Sequence, residues 1–367
     1  MVAVGENFVA KITKDDHKRM SMEHVLFAKQ ELERRKKAPV HVKSEEIWVE
    51  GREPYRTTFI VDPRIGWNNH AIRFWIRSLP PGDEEGGGWK TLGHRHTVEA
   101  VIYILEGKGH SIIDNVRHDW RAGDFICVPI FAWHRHINSG DTDVVYSACT
   151  SGPMSMGLGI AIYEDERYPE YWVYAQQSEE ARRSLIPGKG AGVGADMSRR
   201  NGEKEKSAWQ IYAEQVEFAD GEEGRRRKGK VLIVGKDLVF EKTPMGNVAL
   251  AIDPKRGCYV KTVSSLIAEI LPGEKSGAHR HVYEEINYVL VGRGYSIIED
   301  RRYDWKAGDA LSIPIFAWHQ HFNTGDEPAR FLVHTNRIAM ENLGYAVTQQ
   351  GEAAEPSPLP SPLKGEG

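Results

Sequence analysis

Between residue 57 and about residue 163, short runs of Val, Ile, Tyr and Phe alternate with Gly, Asp and Pro. Period-two alternation broken by turn residues predicts an antiparallel sandwich or barrel. The run from 72 to 79 is clearest, with Ile72, Phe74 and Ile76 on one face and Arg73, Trp75 and Arg77 on the other. A second block of the same texture extends from Val231 to about Met340. Ahead of the first block, residues 15–37 are charged, and Met22, Val25, Leu26 and Leu32 are spaced near a helical period, which predicts an amphipathic arm packed on a neighbour. Ala38-Pro39 ends that arm, because proline disfavours helix in the residue before it. Residues 164–230 are charge-dense, with a Gly-rich break at 187–195, and read as a linker with one or two short helices. The last residues, 351–367, are rich in Pro, Ser, Glu and Gly and are expected to be disordered. The pattern predicts an all-β protein of two tandem domains: arm 1–46, first domain 47–163, linker 164–230, second domain 231–343 and tail 344–367.

The two blocks are one sequence written twice. Gly93-His94-Arg95-His96 and Trp133-His134-Arg135-His136 recur as Ala278-His279-Arg280-His281 and Trp318-His319-Gln320-His321, at a constant spacing of 185 residues (94 to 279, 134 to 319). Glu99, Gly107, Gly109, Asp119-Trp120 and Gly123-Asp124 recur at the same spacing as Glu284, Gly292, Gly294, Asp304-Trp305 and Gly308-Asp309. Agreement without a gap implies one fold for both halves. Asp62-Pro63-Arg64 recurs as Asp253-Pro254-Lys255 with six residues more, so the first block carries an insertion in the loop containing Gly86-Gly87-Gly88.

On a strand, side chains two apart share a face, so His94 and His96 can point at one atom, and His134 completes a set of three neutral imidazoles. His279, His281 and His319 repeat it. Divalent first-row metals are the expected occupants. His136 shares the face of His134 and is a candidate acid/base or hydrogen-bonding group. Arg73, Trp75 and Arg77 either line the first barrel, where an arginine fork could hold a substrate carboxylate, or lie at the surface of an edge strand. Glu99 and Glu284 alternate away from the ligand positions and are expected at the surface or behind the ligands.

Composition removes several other classes. Hydrophobic residues at 40% and charged residues at 27% describe a globular chain, and a net charge of −4 gives no electrostatic reason to expect nucleic acid or an anionic membrane. The basic run Arg225-Arg226-Arg227-Lys228 follows Asp220, Glu222 and Glu223, which argues against a nucleic-acid patch. No run of eighteen apolar residues occurs, and the N-terminus lacks the apolar core of a signal peptide, so the cytoplasm is the expected location. Cys127, Cys149 and Cys258 stand singly and read as buried, reduced thiols.

These residues resemble the two signature motifs of the cupin superfamily. The first motif is matched by Gly273, His279, His281, Glu285 and Gly292; the second by Gly123, Pro129, His134 and Asn138, and again by Gly308, Pro314, His319 and Asn323. The inner Gly of the second motif is Phe131 in one half and Phe316 in the other, a departure expected to alter the turn. The resemblance implies two small jelly-roll barrels, each with a metal inside. It adds Glu285 to the second ligand set, whereas the first has Ala100 there. A three-histidine site in this setting is similar to that of gentisate 1,2-dioxygenase and its salicylate and hydroxynaphthoate relatives. That similarity implies Fe(II), dioxygen as co-substrate and cleavage of a hydroxylated aromatic acid, while edge strands and the helical arm point to a homo-oligomer, dimer or tetramer. The alternatives are a Mn(II)-dependent bicupin of the oxalate decarboxylase sort, using the second site, and a non-enzymatic binding bicupin.

Overall fold

The computed structural model describes residues 15, 22–47, 56–82, 89–172 and 206–351. The triple glycine, the Gly-rich break and the tail beyond 351 lie outside the described residues. The chain falls into two units, residues 1–39 and 40–367. In the first, α1 (Glu23–Lys37) carries Glu23 in its first turn and Arg34 to Lys37 in its last, both favourable to the helix dipole. It ends at Ala38, which is extended before Pro39. The apolar positions picked out by period, Met22, Val25, Leu26 and Leu32, are exposed.

In the second unit, β1 (His41–Val42) and the short α2 (Ser44–Ile47) precede the first barrel. That barrel is built from β2 (Arg56–Val61), β3 (Arg73–Leu79), β4 (His94–His96), β5 (Ala100–Glu106), β6 (Lys108–Ile113), β7 (Val116–Arg121), β8 (Phe125–Val128), β9 (His134–Asn138) and β10 (Val144–Thr150). Next come α3 (Gly152–Gly157), β11 (Tyr163–Asp165) and α4 (Ala208–Lys228). The second barrel follows with β12 (Leu232–Ile233), β13 (Glu241–Thr243), β14 (Gly246–Ile252), β15 (Ser264–Ile270), β16 (His279–His281), β17 (Glu285–Val291) and β18 (Arg293–Ile298). It closes with β19 (Arg301–Lys306), β20 (Ala310–Ile313), β21 (His319–Asn323), β22 (Ala329–Thr335), α5 (Arg337–Leu343) and β23 (Thr348–Gln350).

Each barrel is two facing antiparallel sheets. In the first, β12-β8-β5-β10-β3-β2 faces β11-β4-β9-β6-β7; in the second, β1-β20-β17-β22-β15-β14-β13 faces β19-β18-β21-β16-β23. The barrels exchange edge strands. β1, ahead of the first barrel, pairs with β20 of the second, and β12, ahead of the second, pairs with β8 of the first. Contiguous boundaries at 47 and 231 therefore do not describe the sheets, and β11 and β23 extend the barrels past residues 163 and 343. Each exchanged strand is fastened alike: the Ser44 N–H donates to Asp309 (2.8 Å) and the Gly235 N–H to Asp124 (2.9 Å).

The larger sheets pack back to back. Ile72, just before β3, and Phe74 and Ile76 within it are at most 1% exposed and form one layer with residues of the second barrel, the Phe74 ring lying 5.6 Å from that of Tyr288. Burying one such side chain contributes roughly 1.5–3 kcal/mol. Cys127, Cys149 and Cys258 are free, buried and in this layer. Since the even residues of β3 face the second barrel, Arg73, Trp75 and Arg77 face the interior of the first. In the linker, α4 opens with a capping box between Ser207 and Gln210. Its basic run is paired: Arg225 with Glu222, Arg226 with Asp114 and Arg227 with Glu223. No helix among the described residues is long and apolar enough to cross a membrane.

Candidate metal centres

Pleating directs His94 and His96 of β4 inward and Arg95 outward, and His94 pairs across to His134 of β9. Ring centroids are 4.2 Å apart for His94 and His134, 4.8 Å for His96 and His134, and 5.3 Å for His94 and His96. One nitrogen from each converges within 4.8 Å of the others. His96 Nδ1 donates to the Val98 carbonyl (2.6 Å) and His134 Nδ1 to that of Ala132 (2.8 Å). A carbonyl can only accept, so Nε2 is left with its lone pair, the form a metal requires. His94 Nδ1 is buried without a hydrogen bond, its ring held instead by Trp89 (4.8 Å) and Tyr163 (5.4 Å).

The second centre gathers His279, His281, Glu285 and His319 within the same 4.8 Å. Here all three imidazoles are oriented by backbone, His279 by Gly277 (3.0 Å), His281 by Tyr283 (2.8 Å) and His319 by Ala317 (2.9 Å). Glu285 reaches His281 Nε2 at 3.1 Å and accepts from the Asn287 amide at 2.8 Å. Burial pushes the titration of His94 and His319 well below the ordinary range; neighbouring imidazoles add to this at both, and Arg77 adds to it at His94. Burial alone would raise Glu285, but His281, His319 and His279 hold it well below the carboxylate range. Neutral imidazoles, with one ionised carboxylate in the second centre, fit divalent metals in both barrels.

The turn before each third histidine departs from expectation. Phe131 and Phe316 both adopt φ +61°, so the left-handed turn is kept rather than altered. A non-glycine residue there costs about 1–2 kcal/mol. Its N–H donates to the ligand carbonyl across the sheet, Phe131 to His96 (2.9 Å) and Phe316 to His281 (2.8 Å). Arg95 lies over the Phe131 and Trp133 rings (4.2 and 4.8 Å) and donates to buried Glu164. Arg280 covers Phe316 and Trp318 in the same way (4.0 and 4.7 Å). These contacts hold the strained turn closed.

His136 is buried behind His134. The Trp120 indole N–H donates to Ser111 Oγ (2.8 Å), and Ser111 Oγ lies 2.7 Å from His136 Nδ1. If Ser111 donates its proton to Nδ1, His136 keeps its own proton on Nε2 and can donate a hydrogen bond. Trp305, Ser296 and His321 repeat the relay at 2.9 and 2.6 Å. On the facing sheet, Arg73, Trp75 and Arg77 pair with Thr150, Ala148 and Tyr146 of β10. Arg77 Nε donates to Thr57 (2.7 Å), with the guanidinium 5.1 Å from the Trp75 ring. Arg73 donates to Thr150 (3.0 Å) and lies 3.8 Å from Asp62.

For Glu99 and Glu284 the structure decides between the two places the sequence left open, the surface and a position behind the ligands. Neither is at the surface: they are 1% and 2% exposed and reach into the opposite barrel. Their recurrence in the repeat, like that of Trp120 and Trp305, was the signal that marked them. Ser111 carried the same signal, recurring as Ser296, whereas Trp89 and Tyr163 have no counterpart at that spacing.

A family model described as "Cupin domain" matches residues 75–149 and 266–335. The chain belongs to the cupin superfamily, as a bicupin, with each matched segment spanning the core of one barrel. It is 25% identical over 303 residues to a 1-hydroxy-2-naphthoate 1,2-dioxygenase of Nocardioides sp. (strain KP7), covering 79% of this chain and 70% of that one. Among solved structures it is similar to a salicylate 1,2-dioxygenase from Pseudaminobacter salicylatoxidans, with TM-score 0.56, 15% identity and coverage of 85% and 88%. It is also similar to an oxalate decarboxylase from Lactobacillus farciminis, with TM-score 0.54, 18% identity and coverage of 82% and 86%.

Proposed function

We propose that the first barrel is the catalytic centre of a non-haem Fe(II) dioxygenase that cleaves the ring of a hydroxylated aromatic carboxylic acid of the gentisate or salicylate kind. The observation that carries this reading is the charge contrast between the barrels. His94, His96 and His134 bring no negative charge to a divalent ion, and Arg77 adds a cation on the facing sheet. In the second barrel Glu285 removes one charge, and Ser264 and Ala268 stand where the first has Arg73 and Arg77. An anionic, chelating substrate is favoured by the first and not by the second. Bound at the three histidines, Fe(II) would supply adjacent open positions at which the acid and dioxygen meet. Arg77, with Arg73 beyond it, holds the substrate carboxylate, Trp75 offers a ring face, and His136 donates a hydrogen bond from Nε2. The aromatic acid's kind is also supported by the likeness to the naphthoate enzyme.

A second reading rests on Glu285. Three histidines and a glutamate suit Mn(II), and the second barrel would then carry decarboxylase-type chemistry on its own. Metal analysis of anaerobically purified protein, with oxygen uptake on gentisate, salicylate and hydroxynaphthoate, separates the two. Iron with substrate-dependent uptake is expected, and His96→Ala should lower turnover about a hundredfold more than His281→Ala. Manganese without uptake, or the opposite order of the variants, would overturn the proposal.

A further inference from the structure

Each ligand strand leaves the metal centre through a turn whose end is anchored in the other barrel. Glu99, three residues after His96, accepts the backbone N–H groups of Lys261, Thr262 (2.7 Å) and Val263 (3.1 Å), and the Thr262 hydroxyl. Glu284, three residues after His281, accepts those of His70, Ala71 (3.0 Å) and Ile72 (3.0 Å). The two loops are equivalent in the repeat, so the contact is reciprocal. Burying a carboxylate is costly unless hydrogen bonds replace its water, and three convergent N–H groups do so here.

The anchored peptide is the one that orients the ligand. The Val98–Glu99 peptide accepts His96 Nδ1–H through its carbonyl, and its N–H donates to Ser151 Oγ (2.9 Å). The Tyr283–Glu284 peptide accepts His281 Nδ1–H and donates to the Asn336 side chain (2.7 Å). We infer that Glu99 and Glu284 are positioning residues acting across the barrel interface: each barrel fixes the orientation of one metal-ligating histidine in the other. The edge-strand exchange of β1 and β12 has the same consequence, since neither barrel is finished by its own contiguous segment. This inference rests on the metal reading of the two histidine sets for its effect on affinity, but not for its effect on the imidazoles.

Two measurements on the full-length chain test it. In metal-free protein, ¹⁵N–¹H correlation spectra of the histidine rings should show His96 as a pure Nδ1–H tautomer, and His281 with Nδ1 protonated and a second proton shared from Nε2 with Glu285 (3.1 Å). Glu99→Gln should convert His96 to a tautomer mixture and leave His281 unchanged, and Glu284→Gln should disturb the His281 ring signals and leave His96 unchanged. The second measurement is Mn(II) titration by electron paramagnetic resonance, with one site removed at a time. In a His281→Ala background Glu99→Gln should weaken binding about tenfold, whereas in a His96→Ala background it should change it less than about twofold. Glu284→Gln should give the mirror result. A latch that only joins the barrels would lower thermal stability in both variants without selecting a site. Unchanged ring spectra, or equal weakening of both sites, would overturn the inference. A wild-type chain that binds no metal would sink the metal reading alone, and the ring spectra would still decide the latch.

Discussion

Ala100 and Glu285 hold one position in the two barrels. Each opens the strand after the ligand strand and each pairs across to an inward threonine, Ala100 to Thr150 and Glu285 to Thr335. The next inward residue differs as well, Ile102 in the first barrel and Asn287, which supports the glutamate, in the second. This pair of differences decides how much positive charge a bound metal keeps. Ala100→Glu, with Ile102→Asn to support it, is expected to tighten metal binding about tenfold and to raise KM for an aromatic acid at least about tenfold. Titration of metal into the variant and steady-state oxygen uptake check both; an unchanged KM would remove charge from the account of substrate choice.

The guanidinium of Arg77 acts on His94 electrostatically, whereas Arg73 lies between Thr150 and Asp62. A hydrogen bond to a charged group contributes about 1.5–3 kcal/mol. Arg77→Ala should therefore raise KM for carboxylate substrates by about tenfold to a hundredfold, with a smaller rise for Arg73→Ala, whose carboxylate neighbour already occupies part of its charge. Apparent affinities unchanged in both variants would remove the arginine fork from the mechanism.

Phe131 offers a test of stored backbone strain. Both Phe131→Gly and Phe131→Ala lose the ring under Arg95, but only glycine is relaxed at φ +61°. The glycine variant should be more stable than the alanine variant by about 1 kcal/mol, measured as the difference in denaturant midpoint at constant slope. Equal stabilities would mean that the loop shifts out of the left-handed region once the ring is gone.

His334 predicts acid sensitivity of the barrel interface. It is fully buried, its Nδ1 sits 2.5 Å from Ser265 Oγ, its ring is 5.5 Å from Phe74, and burial lowers its titration to about 3. The unfolded chain takes up this proton near pH 6.5, the folded chain only near 3, so between these values the unfolded state binds more protons. Stability is full above pH 6.5 and falls as pH drops, by up to about 1.4 kcal/mol per pH unit from this group. His334→Gln should flatten the slope of stability against pH between 6 and 4 relative to wild type. An identical slope would assign the acid sensitivity to other groups.

Much of this was legible from one chain because the ligand chemistry and the fold share a period. A histidine pair two apart states both that the segment is a strand and that both rings face inward, and the 185-residue spacing then fixes two such sites without any coordinates. The alternation in residues 72–79 gave two faces, yet it could not say which face meets the barrel interior. One face is apolar and the other carries two arginines and a tryptophan, and the packing of Phe74 against Tyr288 turns the apolar face toward the second barrel.

The phenylalanines at 131 and 316 misled for a related reason. Local propensity assigns glycine to a left-handed turn, but the backbone bonds to His96 and His281 and the arginine stacks outweigh that preference once the sheets have assembled. Glu99 and Glu284 were left between the surface and a position behind the ligands because alternation assigns a face relative to one sheet and is blind to a second barrel behind it.

By itself, then, the sequence determined the two β blocks, their equivalence and the two candidate histidine sets, since these follow from spacing and from the chemistry of imidazole, while Glu285 joined the second set through the cupin resemblance. Tertiary structure alone decided which edge strands are exchanged, which carboxylates cross the interface and which hydrogen bond sets each imidazole. Those depend on contacts between residues far apart in the chain, and neither periodicity nor composition encodes their distance in space.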